Sequence, residues 1–372
     1  MKRIFLYGFV LSALIGMSSC GIDDARRSKN SLKEKWDTIN NPENLQSGFE
    51  YQLEKLPLSG ELQKKPWSDT YWPSYMGGIA NRWNAKRPVD AFKYKTYKLN
   101  ELKRLSEKKL AELSPAEKYS ILIQDYSYSL VEYERKRNHP TDETWFGLCH
   151  GWAPASTAFD EPNSTKMTND DGIEIPFGAS DVKALLIFVQ QFDQTRGKEK
   201  GISDRCNHDL GKNPENANDP ECRDMNAGSF HVVLSNQIGT LNRAIVGDLH
   251  RGIEVWNHPI YGFDSQIVSE SADVYPTAAP GTVKIVTVKT EMRYITEISP
   301  SWDRAKIDSD PTQLASIIYD YQLELDSEGR ILGGEWLQTD RVDFMWVQDA
   351  PTFSGYFEKV EALYKQAVSD RN

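Results

Sequence analysis

Trp145-Phe-Gly-Leu-Cys149-His150-Gly151-Trp152-Ala-Pro-Ala-Ser156 joins a polar loop, Asn138-His-Pro-Thr-Asp-Glu143, to a run of small and apolar residues. That change of character predicts the start of a buried helix. A cysteine in the first turn of such a helix meets unpaired backbone N–H groups and the positive end of the helix dipole, both of which favour a thiolate. The competing reading is inert packing, because cysteine is among the most often buried residue types.

Two later runs bear on that choice. Ala227-Gly-Ser-Phe-His231-Val-Val-Leu-Ser235 places a histidine at the head of a β-branched run, and Ala244-Ile-Val-Gly-Asp248 ends a second run in a carboxylate. Read as strands, they give a cysteine on a helix, a histidine opening one strand and an acid on the next, the order in which papain-like thiol enzymes assemble a triad.

With 372 residues the chain has ample material for a core. Its net charge is -10 and it carries no basic stripe, which argues against a nucleic-acid partner. Met1-Lys2-Arg3 followed by a short apolar run to Gly16 reads as a secretory leader, too short to span a membrane. Met17-Ser18-Ser19-Cys20-Gly21 resembles a bacterial lipoprotein cleavage site, so residues 1–19 are expected to be removed and Cys20 lipidated. Gly21 in place of aspartate points to an outer-membrane anchor facing the periplasm or the cell surface. The alternative is an ordinary leader with an incidental cysteine. Residues 20–60, charged and asparagine-rich, read as a tether.

Export leaves Cys149, Cys206 and Cys222 in an oxidising compartment. Cys206 and Cys222 flank a polar, turn-rich loop that packs little, so a disulfide is its expected staple and Cys149 the free thiol. Residues 61–140 form a tryptophan-rich and helical region. Trp67, Trp72 and Trp83 are too apolar to stay wet and must pack on the main body or wall a groove. Ser114-Pro115-Ala116-Glu117 spells a capping box for a helix running through Tyr133.

Residues 141–352 form the catalytic core, and 353–372 a C-terminal helix. Ser180 is expected to cap a helix over Val182–Phe192. Arg251–Phe263 reads as a strand ending in a proline turn, and Val283–Ile295 as a strand with one wet face. Asp326-Ser-Glu-Gly329 joins two further strands as a hairpin. Helices first and strands later predict an α+β fold, an antiparallel sheet with an N-terminal helical layer. His139, His208 and His258 read as loop or surface residues. No zinc or phosphate-loop motif appears, and Asn169-Asp170-Asp171-Gly172 reads as a turn.

Pro66-Trp67-Ser68-Asp69-Thr70-Tyr71-Trp72-Pro73, Val255-Trp256-Asn257-His258-Pro259-Ile260-Tyr261-Gly262-Phe263 and Gly333-Gly-Glu-Trp336 together resemble the transglutaminase elicitor family. His258, Ile260 and Tyr261 stand where the family's oomycete peptide has glutamine, valine and arginine. The resemblance implies a papain-like or transglutaminase-like core that crosslinks proteins. Cys149 would be the nucleophile, His231 the base and Asp248 the acid, with His250 or Asn257 as rivals for the third place. Trp145 and Trp152 are candidates to wall the acyl site. The implied partners are proteins or peptides bearing glutamine, and lysine or another primary amine. No cofactor is called for, and a requirement for Ca2+ is left open. The other readings are a cysteine peptidase or amidase of the same architecture, and a non-catalytic lipoprotein binding module.

Overall fold

In chain order the elements are β1 (Ser59–Glu61), α1 (Leu99–Leu102), α2 (Glu107–Ala111), α3 (Pro115–Leu122), α4 (Ser129–Arg137), α5 (Cys149–Ala158), β2 (Thr165–Thr168), β3 (Glu174–Phe177), α6 (Ala179–Phe192), β4 (Lys200–Ile202), α7 (Ala227–Leu234), β5 (Ile245–Asp248), β6 (Asn257–Ser271), β7 (Lys284–Ile295), β8 (Leu314–Leu325), β9 (Ile331–Trp336), β10 (Phe344–Val347) and α8 (Glu358–Ser369). They come from a computed structural model that describes residues 36–193, 197–210, 212–218, 222, 224–307 and 310–369. The expected leader and Cys20 lie outside the described residues. No described helix is long and apolar enough to cross a membrane.

The fold is α+β, as its order of elements predicts. One antiparallel sheet runs β4-β10-β5-β6-β7-β8-β9, with β1 added to β6, and β2 and β3 form a separate hairpin. Asn169 builds the turn of that hairpin by accepting from the backbone N–H groups of Asp171 and Ile173. Strand β10, late in the chain, lies between β4 and β5. The main apolar core draws on residues from Trp36 to Ala367, and a small second cluster joins Ala153, Val246, Phe344 and Trp346.

Local chemistry explains most element boundaries. Ser114 and Glu117 close the capping box at α3, each accepting from the other's backbone N–H. The expected continuous helix is broken after α3, because Asp125 turns its carboxylate onto the N–H groups of Ser127 and Ser129 and so starts α4 afresh. Helix α6 is capped by Asp181 reaching back to the Gly178 N–H. Ser180 does not cap it and instead donates to Asp69. Asp326 accepts from the N–H groups of Glu328 and Arg330 and sets the β8–β9 hairpin.

Three expectations are corrected. The run containing His231 is helix α7, because Asn226 accepts from the N–H groups of Gly228 and Ser229 and caps a helix there. Gly228 then lies directly on Gly333 of β9, where any side chain would collide with backbone. The 251–256 segment is a loop, and Pro259 sits inside β6, one residue before the β6–β7 ladder begins at Ile260. Residues 36–60 are not a free tether: Trp36, Leu45, Phe49, Tyr51, Leu53 and Leu56 are buried in the core. Their short 3-10 turns and extended backbone impose neither a helical nor a strand period, so the sequence pattern hides them.

Candidate active site

Cys149 is the first residue of α5. The N–H of Leu148, just before it, is bonded to the Tyr71 carbonyl, and Gly147 lies so close to Tyr71 and Trp72 that a Cβ there would collide with them. On its far side α5 crosses α6 at Gly151, where a Cβ would run into the Ile187 carbonyl. The helix start is thus held from two directions, and the Cys149 thiol is buried.

Val255 and Asn257 present polar groups to the sulfur. Its thiol donates to the Val255 carbonyl at 3.6 Å, and Asn257 Nδ2 donates to it at 3.8 Å. The Asn257 amide is oriented in turn by Trp346, whose indole Nε1 donates to Asn257 Oδ1 at 2.8 Å. An indole nitrogen can only donate, so the oxygen of the amide must face Trp346 and its NH2 must face the sulfur.

Burial raises the Cys149 thiol above its ordinary pKa. Donors from Asn257 offset part of the rise, while the charges of Glu297 and Asp248 add to it. Burial thus works against the thiolate that the start of the helix favours, with desolvation the larger influence.

Of the predicted partners, Asn257 and Asp248 come to Cys149 and His231 does not. Asp248 stands opposite Asn257 across the β5–β6 pair. It is fully buried, neither oxygen has a hydrogen bond of normal geometry, and burial together with the charge of Asp343 holds its pKa well above the usual carboxylate range. His231 is 1% exposed in α7, and its Nδ1 is hydrogen-bonded at 2.7 Å to the Tyr321 hydroxyl. Its Nε2 has no hydrogen-bond partner, and burial lowers its pKa to about 4.

His250 is half-exposed and paired with Asp340 at 2.7 Å. Trp152 is core, edge-on to His258. Trp145 is partly exposed beneath the Arg205 guanidinium, which also donates to the Ile253 carbonyl and so ties down the 251–256 loop. Cys206 and Cys222 form the expected disulfide, and Cys149 is the free cysteine among the described residues.

Sequence reading missed four contributors. Tyr71 packs edge-on against Trp256 and donates to the Thr144 carbonyl, forming an aromatic rim beside the cysteine. Glu297, mostly buried, has its pKa raised by desolvation to about 7, and one of its oxygens lacks a partner. His150 stacks on Trp346 at 4.3 Å and pairs with Glu199. The Trp67–Trp72 segment carried a usable signal in its density of aromatics; a lone glutamate after β7 and a tryptophan inside a short apolar strand carried none. Among the described residues no group of three or more histidine, cysteine, aspartate or glutamate side chains is placed to hold a metal ion.

No curated protein matches the chain. The crystal structure of the GP42 transglutaminase from Phytophthora sojae is similar to it, with a TM-score of 0.67 and 23% identity over 90% of this chain and 99% of that one. At that identity the likeness speaks for the fold: helices packed on a curled antiparallel sheet. Residues 42–366 match the family described as transglutaminase elicitor, and with the match extending over most of its length, the chain belongs to that family.

Proposed function

We propose that this chain is a protein-glutamine acyltransferase. Its Cys149 takes up the acyl group of a glutamine side chain as a thioester and passes it to a primary amine. The observation that carries this reading is a cysteine outside any disulfide at the first turn of α5, faced by the Asn257 amide and within the electrostatic reach of Glu297 and Asp248. Family membership and fold support the general kind of protein.

The chemistry begins with proton removal, which burial of the thiol makes harder. Glu297, at about 7, is close to half ionised at neutral pH, which suits a group that takes a proton and gives it back. In the reading proposed, Glu297 accepts the thiol proton as sulfur adds to the carboxamide carbon. The same proton then leaves on ammonia as the C–N bond breaks. An amine next attacks the thioester and loses a proton, the C–S bond breaks, and Cys149 regains its hydrogen. Water in place of the amine gives deamidation. Asp248 is the second carboxyl of the site. His231 joins it only by leaving the Tyr321 hydroxyl. We further propose that the chain is exported and anchored through Cys20, acting on proteins or peptides at that surface.

The test incubates purified protein with a glutamine peptide and a fluorescent primary amine. Wild type is expected to incorporate the amine and Cys149→Ala to lose it. No incorporation by wild type, or undiminished incorporation by Cys149→Ala, overturns the reading.

A further inference from the structure

We propose that Asn257 and the backbone N–H of Cys149 together hold the oxyanion formed when the sulfur adds to its substrate, and that Trp346 positions the Asn257 amide for that task. This inference rests on the acyl-transfer reading above. It assigns Asn257 a role other than orienting the His231 ring, which lies on Tyr321.

Asn257 is 1% exposed, so its amide hydrogens cannot rely on bulk water. Its NH2 group faces the sulfur at 3.8 Å, because its oxygen is held on the other side by the Trp346 indole. As the C–S bond forms, the carbonyl π pair moves onto oxygen, and that oxygen ends two bonds from the sulfur. A donor that contacts the resting sulfur at the edge of hydrogen-bond range is therefore well placed for an oxyanion roughly 3 Å away in the addition product. The second donor follows from helix geometry: Cys149 is the first residue of α5, so its N–H has no acceptor within the helix. When the oxyanion collapses, ammonia leaves and the C=O bond is restored.

Trp346 supplies the preorganisation. It lies in β10, and its indole hydrogen engages Asn257 Oδ1 at 2.8 Å, which forbids the flipped amide that would turn an oxygen on the developing negative charge. Its ring is further fixed by stacking on His150 at 4.3 Å. Trp346 touches no reacting atom and acts through Asn257 alone.

The experiment separates oxyanion binding from thiol reactivity. Purified full-length wild type, Asn257→Ala and Trp346→Phe are compared in steady-state amine incorporation. In parallel, Cys149 is alkylated with iodoacetamide across a pH series and the limiting high-pH rate is read. Displacement at iodoacetamide forms no oxyanion, and at the plateau the thiol is fully ionised. Asn257→Ala is expected to lower kcat by roughly 100- to 1000-fold with KM changed only a few-fold, and to keep its limiting alkylation rate within about threefold. Trp346→Phe, which keeps an aromatic ring and loses only the indole donor, is expected to lower kcat by about 10-fold with the same alkylation plateau. Should Asn257→Ala fail to fold, the Trp346→Phe result decides alone. An unchanged kcat, or an alkylation plateau that falls as far as kcat, overturns the assignment while leaving the acyl-transfer reading intact. A wild type that alkylates readily and transfers no amine overturns both.

Discussion

His258 offers a measurement that tests the burial of the site directly. It is 8% exposed in β6, where its Nδ1 donates to the Ile295 carbonyl at 3.0 Å and its ring packs near Trp152 and Tyr294. Burial lowers its pKa to about 4, against about 6.5 in an unfolded chain. Below 6.5 the unfolded chain takes up this proton while the folded one resists it, so stability is intact above that pH and is lost as pH falls towards 4. The loss is about 2 kcal/mol at pH 5 and about 3.4 kcal/mol once pH is well below 4. Buried carboxyls act in the opposite sense. Asp69 and Glu297, both raised to about 7, and Asp343, raised to about 8, bind protons first in the folded state and add stability as pH falls. The total pH profile is therefore mixed, and only a difference isolates one group. His258→Gln keeps an N–H able to reach Ile295 and does not titrate. Thermal unfolding of both proteins at pH 7.5 and pH 5.0 should show the variant gaining about 3 °C on wild type between the two conditions, for a chain of this length. A gap that stays constant to within about 1 °C would refute the reasoning.

Replacing both Cys206 and Cys222 by serine releases a staple with a sequence separation of 16, worth about 3 kcal/mol in the chain-entropy picture. Differential scanning calorimetry should show a fall of about 4 °C, and one below about 1 °C would mean that the loop is ordered without its bond. Glu297→Gln removes a charge that raises the Cys149 thiol, so alkylation at neutral pH should speed up while amine incorporation drops by roughly 100-fold. Two rates falling together would show that Glu297 only holds the structure. Gly151→Ala forces α5 away from the Ile187 carbonyl and should cost about 1–3 kcal/mol, read as a lower urea midpoint together with an altered Cys149 alkylation rate. A variant with wild-type values for both would mean that the crossing of the two helices does not fix the nucleophile.

Much of the architecture was legible because it is encoded locally. The capping box at Ser114, the Asp326 hairpin, the alternation along β7 and the paired cysteines each announce themselves within a few residues. The α+β class followed from the order of those signals. Cys149 was legible for the same reason, since the change from a polar loop to small residues marks the start of α5.

What stayed hidden depends on distant partners. The β-branched residues after His231 suggest a strand, and only the cap at Asn226 and the glycines of β9 beneath it reveal a helix. Order along the chain points to the His231 imidazole, while the fold holds that ring on the Tyr321 hydroxyl, a partner no spacing announces. His258 reads as polar and exposed in isolation, yet is enclosed by Trp152 and the end of β7. Glu297 and Trp346 matter through what they face, which no local pattern records.

The position of β10 has a consequence for how the molecule is made. Synthesis delivers β4 and β5 first, but the strand that joins them, and the indole that orients Asn257, arrive only with residues 344–347. A nascent chain therefore carries its thiol without the amide lock until β10 is made, and until then one edge of β5 is bare and open to pairing with another polypeptide. On the proposed reading, competence to react waits for β10. On the acyl-transfer reading proposed above, the chain would in this way be kept from joining other proteins while it is itself half made.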